Sequence, residues 1–367
     1  MNKLELYIID VIQGKKMGLL GFFLKIFLYI LSLFFRLGVA IKNKAYDCGL
    51  LSKYRPPVPL IISIGNIVAG GAGKTPATIL IAEQFYDDFK IAILSRGYRS
   101  SSEKESFPTF LSTGTGPLHP ASYCGDEPYL ISETLPKAVC IVGKNKHEAS
   151  NLAAKEGVDL ILIDDGMQHR HLARDLEVVV MDATDPFGYN HFLPRGFLRE
   201  EISALSRANL IILNPIATQE QFEEVKNQLP LYIKAPIIGC QLAVVDIYDL
   251  FDNKIQTIEG KKVGIFCAIA KPEKFKRTVL GQKAEILDEY YIADHTNFEI
   301  AKLKKFSDNC KQQGSDILLC TEKDCVKLPK YLELSLPIFI IKVNFKVNYG
   351  VEEWKSFIQN AKKDIIR

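Results

Sequence analysis

The stretch LIISIGNIVAGGAGKTP, residues 60–76, decides the fold of this 367-residue chain. An apolar, β-branched run (60–64) leads into a glycine-rich loop, and a helical pattern follows to about Tyr86. A strand, a glycine loop and a helix are the context that a P-loop requires. Glycines let backbone N–H groups converge on phosphate oxygens, and the helix N-terminus adds a partial positive charge. The stretch therefore predicts a site for the phosphates of a nucleotide.

The predicted nucleotide-binding residues are consecutive: Val68, Ala69, Gly70, Gly71, Ala72, Gly73, Lys74 and Thr75. We expect Lys74 to reach the β- and γ-phosphates as a catalytic cation, and the Thr75 hydroxyl to ligate Mg²⁺. The strict pattern G-x-x-x-x-G-K-[ST] is not met, because Val68 stands at its first glycine. The alternative is a glycine-rich turn without a ligand, which Gly-Lys-Thr between a strand and a helix disfavours.

Further short apolar runs alternate with amphipathic stretches along the chain. They are Ile91–Leu94, Ala138–Val142, Leu160–Ile163, Glu177–Met181 and Leu210–Leu213. Continuous apolar runs separated by helical patterns predict a parallel sheet that is covered on both faces. The predicted fold class is therefore α/β, with a P-loop NTPase-like, doubly wound, mostly parallel sheet.

A smaller C-terminal α/β domain is predicted from the strand-like runs that follow residue 261. The predicted segments are a helical, membrane-associated segment (1–45), a P-loop core (46–236), a linker strand (237–260), the smaller domain (261–337), and a return strand with a C-terminal helix (338–367). The extended runs Ile237–Val245 and Ile338–Phe345 are expected to pair as a ribbon between the two domains.

Composition and charge exclude some function classes. A net charge of +3 without a basic cluster argues against a nucleic-acid partner. The eight cysteines are scattered without a C-x-x-C pair, and several, such as Cys140 and Cys320, lie in apolar runs. This usage predicts the buried, reduced thiols of a cytosolic protein rather than disulfides or a zinc site. No feature predicts an obligate protein partner.

Residues Gly18–Phe35 form the most apolar stretch, about as long as the roughly 18–20 residues that span a bilayer. Basic residues flank it on both sides: Lys15 and Lys16 before, and Arg36, Lys42 and Lys44 after. A spanning helix usually has its basic residues on one side, so these flanks favour a helix in the inner leaflet. We predict peripheral or monotopic attachment to the inner membrane at its cytoplasmic face. The alternatives are a spanning helix, a signal peptide and a core helix.

A pair of acidic residues, Asp164 and Asp165, comes directly after the predicted strand Leu160–Ile163. Parallel sheets bind ligands at the carboxyl ends of their strands. Strand-end aspartates next to a P-loop commonly organise Mg²⁺. The sequence therefore predicts that both carboxylates serve a metal ion, and it does not decide which one contacts the metal.

A second acidic candidate, Asp126, closes a long Ser/Thr/Gly/Pro-rich loop (98–120) and precedes a helical pattern. One interpretation is a helix cap. The other is the carboxylate that takes the proton of an acceptor hydroxyl in phosphoryl transfer. The pair Asp294-His295, in the smaller domain, can support such a base.

Two other function classes stay open on these patterns. A switch GTPase or ATPase, which would act through partner binding, requires a guanine motif of the form [NT]-K-x-D. The segment TEKD (321–324) places its lysine one position late for that motif. A soluble small-molecule kinase would share the P-loop core, but it leaves Gly18–Phe35 unexplained.

Together these motifs resemble one family, the tetraacyldisaccharide 4'-kinases, also called lipid A 4'-kinases. The resemblance covers most of the chain from about Gly65 to Lys327, and its motifs are specific in order and spacing. The matching segments are GN…GGAGKTP (65–76), SRGY (95–98), GDEP (125–128), DDGMQH (164–169), LPRGFLRE (193–200), AIAKPEKF (268–275), DH (294–295) and TEKD (321–324).

The resemblance implies transfer of the γ-phosphate of ATP, with Mg²⁺, to the 4'-hydroxyl of a tetraacylated glucosamine disaccharide 1-phosphate in lipid A biosynthesis. It implies that Asp126 and His295 form a catalytic dyad and that Arg199 lies near the reacting phosphates. It also implies an N-terminal membrane helix and metal binding by Asp164 and Asp165. The chain departs from the family pattern at Arg195, Phe197 and Ala268, and its loop 99–123 is longer than typical.

Overall fold

The structure is a computed structural model that describes residues 3–16, 18–98, 100–269, 271–293, 296–329 and 331–366. Asp294 and His295, the expected supports of the base, lie outside the described residues. The chain divides into two compact units. The first unit consists of Met1–Leu118, Ile131–Gln241 and Phe345–Arg367, and the second of His119–Leu130 and Leu242–Asn344.

The helices and strands alternate along most of the chain. The helices are α1 (Lys3–Ile12), α2 (Leu19–Asp47), α3 (Lys74–Glu83), α4 (Ala121–Cys124), α5 (Asp126–Thr134), α6 (Lys146–Lys155), α7 (Gln219–Gln228), α8 (Pro272–Gly281), α9 (Ile300–Gln312), α10 (Glu322–Cys325) and α11 (Val351–Ile366). The strands are β1 (Leu60–Gly65), β2 (Ile91–Ser95), β3 (Thr109–Thr113), β4 (Val139–Val142), β5 (Leu160–Asp164), β6 (Leu176–Asp182), β7 (Leu210–Asn214), β8 (Ile237–Asp249), β9 (Lys254–Ile255), β10 (Lys262–Cys267), β11 (Glu285–Tyr291), β12 (Ile317–Thr321) and β13 (Ile338–Tyr349). Short 3₁₀ helices lie at Ser102–Lys104, Gly188–Asn190 and Ile202–Arg207.

The strands of the first unit form a sheet in the order β8-β7-β6-β1-β5-β2-β4-β3. Neighbouring strands are parallel, except that the edge strand β3 runs antiparallel to β4. Every residue of β1, β2, β4, β5 and β7 is buried. Burial of whole strands is what a sheet covered on both faces requires, so the predicted doubly wound α/β layer is confirmed.

The centre of this sheet positions the glycine loop. Strand β1 lies between β5 and β6, and in the β1–β5 pair Ile64 is the register partner of Asp164. The chain therefore leaves the sheet after Gly65 and after Asp164 at the same edge. The two turns are joined there, because the N–H of Gly166 donates to the carbonyl of Ile64 at 2.9 Å.

The second unit contains the parallel strand order β11-β10-β12-β13, and two apolar clusters form its core. Strands β8 and β13 are hydrogen-bonded neighbours, as the sequence predicted, and both continue beyond the predicted runs. The sequence assigned residues 119–130 to the P-loop core, whereas they belong to the second unit. Ion pairs of Asp126 and Glu127 with Lys327 and Lys323 hold this segment there.

Helix α2 contains the predicted apolar run and continues to Asp47. By length and composition it can cross a membrane: its most apolar window has a mean hydropathy of 2.0, and 11% of that window is buried. Large side chains such as Leu20 (71% exposed) and Phe23 (63%) rule out the core-helix alternative. Polar contacts attach its second half to the first unit, since Arg36 pairs with Glu201 at 2.9 Å.

A substitution of Gly65 tests how closely the turn after β1 approaches the turn after β5. A Cβ added there would lie 2.5 Å from the Cβ of Met167 and 2.8 Å from its backbone nitrogen. Gly65→Ala is expected to lower the free energy of unfolding by about 1–3 kcal/mol, because the neighbouring backbone must move. Thermal or urea unfolding without nucleotide measures this. Gly71→Ala is the matched control, since nothing lies within 4 Å of its added Cβ. Equal stabilities of the two variants would contradict the described packing.

Candidate active site

The glycine loop connects β1 to α3, which begins at Lys74. Gly73 precedes the helix with a left-handed backbone (φ 94°). A Cβ there would lie 2.7 Å from the ring of Phe345, so the position requires glycine. The first N–H groups of a helix have no partner inside it, so the start of α3 can bind an anion. The predicted phosphate loop thus has the required strand, loop and helix.

A second segment lies against the loop and brings in Arg199. The N–H of Arg199 donates to the carbonyl of Ile67 at 2.7 Å, and the N–H of Ala69 donates to the carbonyl of Phe197 at 2.7 Å. Val68 forms an antiparallel bridge with Leu198 between them. The amide of Ala69, one of the predicted nucleotide-binding residues, is therefore engaged within the protein.

Two predicted site residues, Lys74 and Arg199, both contact a third, Asp165. The guanidinium of Arg199 donates to both carboxylate oxygens of Asp165, with Nη1–Oδ1 at 2.9 Å and Nη2–Oδ2 at 3.3 Å. The Nζ of Lys74 lies 3.7 Å from Oδ1 of the same carboxylate. Burial acts to raise the pKa of Asp165, but Lys74 and Arg199 together outweigh it, so this pKa lies below its ordinary value. The aspartate is therefore ionised and holds both cations at the loop.

The other predicted metal residues lie at the same edge of the sheet. Asp164, the last residue of β5, is 6% exposed and accepts a hydrogen bond from Ser95 Oγ at 3.0 Å. Thr75 is in the first turn of α3, which packs on β5. Carboxylate and hydroxyl oxygens are the hard donors that Mg²⁺ prefers, so this set fits a magnesium ion. Sequence reasoning missed Ser95, although it lies in the SRGY segment that carried the resemblance.

Sequence reasoning also missed Lys146, which is buried at the carboxyl end of β2. The side chain is 1% exposed, and its Nζ donates to the carbonyl of Leu94 at 2.7 Å. Burial lowers the pKa of Lys146 to about 7, although Asp164 and Asp165 act in the opposite direction. No local pattern marks a buried lysine, since lysines at the start of a helix are usually solvated.

Asp126 lies in the second unit, as the first residue of α5 rather than the residue before it. This position differs from the cap that the sequence left open, although a carboxylate in a first turn is still favoured by the helix dipole. Oδ2 of Asp126 lies 3.3 Å from Nζ of Lys327, a lysine that sequence reasoning missed. The dyad with His295 stays a prediction, because His295 lies outside the described residues.

The segment that follows the aspartate pair connects the site to helix α2. Lys42 donates to the carbonyl of Gln168 at 2.8 Å, and the amide of Gln168 donates to the carbonyl of Asn66 at 2.9 Å. Glu200, next to Arg199, accepts from the side chain of Asn43 at 2.6 Å. The apolar helix is thus joined by hydrogen bonds to both segments that carry Asp165 and Arg199.

Comparison with known proteins identifies relatives along the whole chain. The family model described as Tetraacyldisaccharide-1-P 4'-kinase matches residues 24–362. Three curated relatives are each named tetraacyldisaccharide 4'-kinase. The protein of Halothermothrix orenii is 29% identical over 96% of both chains. That of Anaeromyxobacter dehalogenans (strain 2CP-C) is 36% identical over 80% of this chain and 79% of its own. That of Chlamydia pneumoniae is 34% identical over 78% of each chain.

A solved structure shares the fold. The crystal structure of the "apo" form of LpxK from Aquifex aeolicus, in complex with ATP, superposes with a TM-score of 0.73. It covers 92% of this chain and 99% of that chain at 24% sequence identity. At this identity the likeness is evidence for the fold, and it agrees with the α/β class predicted from the apolar runs.

His169, which follows the aspartate pair, gives a prediction for stability against pH. Burial, assisted by Lys146 and His171, lowers the pKa of His169 to about 3. In the unfolded chain its pKa is about 6.5, so the unfolded state binds the extra proton between these values. Stability is therefore expected to fall, by up to about 2 kcal/mol for this group, as the pH drops from 7.5 to 5.

The variant His169→Phe keeps an aromatic ring but cannot titrate. Its free energy of unfolding is expected to change less than that of the wild type between pH 7.5 and pH 5. Urea unfolding at both pH values measures the difference, and pH 7.5 is the reference because His169 is neutral there in both states. An unchanged pH dependence would contradict the assignment.

Proposed function

Because the chain belongs to the family of tetraacyldisaccharide-1-P 4'-kinases, we propose that it transfers the γ-phosphate of ATP to the 4'-hydroxyl of a tetraacylated glucosamine disaccharide 1-phosphate. This acceptor is a lipid A precursor. The observation that carries the proposal is the family match over residues 24–362 on a chain whose glycine loop brings Lys74 and Arg199 to one carboxylate.

The phosphate side of the reaction is assigned to the first unit. Backbone N–H groups at the start of α3 hold the phosphates, and Lys74 meets the β- and γ-phosphate oxygens. Arg199 supplies a second, planar cation for the charge on the transferring group. Thr75, Asp164 and Asp165 hold Mg²⁺, which when bound neutralises phosphate charge. The contacts of Lys74 and Arg199 with Asp165 support this assignment, because they keep both cations at the loop.

The acceptor side is assigned to Asp126, with His295 as its support. A hydroxyl must lose its proton as it attacks phosphorus, and a positioned carboxylate accepts that proton. Asp126 is suited to this role because its side chain is mostly buried (14% exposed) and is held by the ammonium group of Lys327.

Helix α2 is assigned to membrane attachment at the cytoplasmic face of the inner membrane, as a peripheral or monotopic element. A substrate with acyl chains resides in the bilayer, and the exposed Leu and Phe side chains of α2 suit insertion among lipids. Two of the basic flanking residues are occupied, since Arg36 pairs with Glu201 and Lys42 donates to Gln168. These two contacts help to orient the helix on the rest of the first unit.

The switch-GTPase alternative finds no support in the TEKD segment. The carboxylate of Asp324 is fully buried and accepts from the N–H of Ala268 at 3.0 Å and from the hydroxyl of Thr321 at 2.7 Å. A guanine motif needs an aspartate that can bind the base. Asp324 is instead part of the internal structure of the second unit.

Kinase assays with purified lipid acceptor test the proposed reaction. Wild type is expected to phosphorylate the acceptor with ATP and Mg²⁺. Lys74→Met is expected to lose at least about a hundredfold in kcat, because it removes a cation from the transferring phosphate. Asp126→Asn is expected to lose about 10²–10⁴-fold, as for a general base. A charge lost from a helix terminus alone lowers folding stability by about 1 kcal/mol and leaves the kcat of the folded enzyme largely unchanged.

Two surface residues that pair with each other provide matched controls. Asp87 and Lys137 are 83% and 71% exposed, so Asp87→Asn and Lys137→Met are expected to keep wild-type activity. Wild type without acceptor-dependent phosphorylation would refute the function. A loss below tenfold in Asp126→Asn would make Asp126 structural.

Membrane attachment is tested with vesicles that contain phosphatidylglycerol. The double variant Phe23→Glu/Phe27→Glu places charges on two exposed side chains of α2 (63% and 57% exposed). Each buried phenylalanine contributes about 1.5–3 kcal/mol, so vesicle binding is expected to fall by about a hundredfold or more. The control Leu231→Glu/Phe251→Glu alters exposed apolar residues elsewhere and is expected to bind as wild type does. Equal binding of both double variants in co-sedimentation would exclude α2 as the attachment.

A further inference from the structure

A buried lysine in the second unit joins two carboxylates. The Nζ of Lys327 lies 3.3 Å from Oδ2 of Asp126 and 3.3 Å from Oδ1 of Asp324. The side chains of Lys327 and Asp324 are 3% and 0% exposed. A lysine at this depth is rare unless it is paired, and here one of its two partners is the proposed base. No step of the proposed reaction uses Lys327.

Asp324 fixes the position of this lysine. Its Oδ1 accepts from the N–H of Ala268 at 3.0 Å, and its Oδ2 accepts from the hydroxyl of Thr321 at 2.7 Å. The N–H of Asp324 donates back to the same hydroxyl at 3.2 Å. Burial raises the pKa of Asp324, and Lys327 acts against that rise. The carboxylate is thus anchored by backbone and hydroxyl donors, and Lys327 is anchored by the carboxylate.

A similar but more exposed ion pair, between Lys323 and Glu127, involves the neighbouring acid. Nζ of Lys323 is 3.2 Å from Oε1 of Glu127, and these side chains are 19% and 44% exposed. Two lysines in and just after α10 therefore contact two consecutive acids in the first turn of α5. The buried pair holds the proposed base, whereas the exposed pair holds its neighbour, which no step of the proposed reaction uses.

We propose that Lys327, anchored by Asp324, is a positioning residue that fixes the orientation of the Asp126 carboxylate and holds a positive charge beside it for the acceptor hydroxyl. The inference rests on the proposed function, because it needs Asp126 to be the base. An ammonium group donates hydrogen bonds and cannot accept the proton, so Lys327 acts through Asp126. A fixed, ionised carboxylate in a mostly buried place is what general-base catalysis requires.

Other charged or titratable groups near Asp126 come from several elements. They are Cys124 on α4, Glu127 on α5, Lys323 and Asp324 on α10, and Lys327, while His295 lies outside the described residues. Burial raises the pKa of Cys124 to about 12, with Asp126 acting in the same direction, so this thiol is neutral at working pH. In the part of the chain that the structure describes, Lys327 is buried and its Nζ lies 3.3 Å from Oδ2 of Asp126.

The test compares Lys327→Met with Lys323→Met in the full-length protein, using the kinase assay over a range of pH. Lys327→Met is expected to lower kcat by at least tenfold at neutral pH. It is also expected to shift the acid limb of the kcat profile to higher pH, because the base loses its stabilising cation. Lys323→Met is expected to stay within about twofold of wild type, and Lys327→Arg, which keeps the charge, to recover part of the lost kcat.

Binding of a non-hydrolysable ATP analogue and the unfolding temperature separate positioning from a structural role. The inference predicts an unchanged affinity for the analogue in Lys327→Met, since the phosphate loop lies in the first unit. If Lys327→Met does not fold, two other variants test the inference. Lys327→Arg is expected to keep the acid limb of the kcat profile near that of the wild type. Asp324→Asn is expected to lower kcat and to leave the affinity for the analogue unchanged.

Three outcomes overturn the inference. One is a kcat of Lys327→Met equal to that of Lys323→Met. Another is a parallel loss of kcat, analogue affinity and unfolding temperature with an unmoved acid limb, which would mark Lys327 as structural. A wild-type protein that does not phosphorylate the acceptor refutes the proposed function itself, and the inference with it. An active wild type with an unaffected Lys327→Met refutes only the inference.

Discussion

The parallel pairing of β1 with β5 is the constraint on which the arrangement around the glycine loop depends. Its register sets Ile64 beside Asp164, so the glycine loop and the aspartate turn start at one edge of the sheet. Gly65 permits the close approach of the second turn, and the hydrogen bond from Gly166 to Ile64 closes it. Because both strands are buried on both faces, a slip of one residue would move every side chain to the opposite face of the sheet and disrupt its packing there. The apolar runs therefore fix where the charges meet.

A single backbone segment then links phosphate chemistry to the apolar helix. Residues 197–199 lie along the loop through two main-chain hydrogen bonds, which places the guanidinium of Arg199 on Asp165. The next residues, Glu200 and Glu201, accept from Asn43 and Arg36 of helix α2. A change in the orientation of α2 would consequently move Glu200, which is the residue next to Arg199. The proposed membrane helix and the contact of Arg199 with Asp165 are therefore linked through one short stretch of chain.

Local patterns predicted the sheet and the loop, because a buried strand and a P-loop are each recognised from a short run of consecutive residues. Arg199 followed only from the family resemblance, since its contact with Asp165 spans 34 positions and no periodicity marks it. Lys146 and Lys327 were missed for a related reason. A lysine in a helix or turn has the same sequence pattern whether it is solvated or buried, and only tertiary packing decides between these. The place of residues 119–130 in the second unit was missed because it depends on contacts with residues about 200 positions away, such as Lys323 and Lys327, which no local pattern marks.

Two of the carboxylates assigned to the proposed reaction, Asp165 and Asp126, follow one electrostatic rule. A carboxylate buried without a cation takes up a proton, and it can then neither hold a metal ion nor accept a proton from a hydroxyl. Asp165 has Lys74 and Arg199, and Asp126 has Lys327. In both units the acid lies at the end of an element, and its cation comes from a segment distant in sequence. Each carboxylate thus receives its cation through packing between distant segments, so the charges around it depend on the tertiary fold of its own unit.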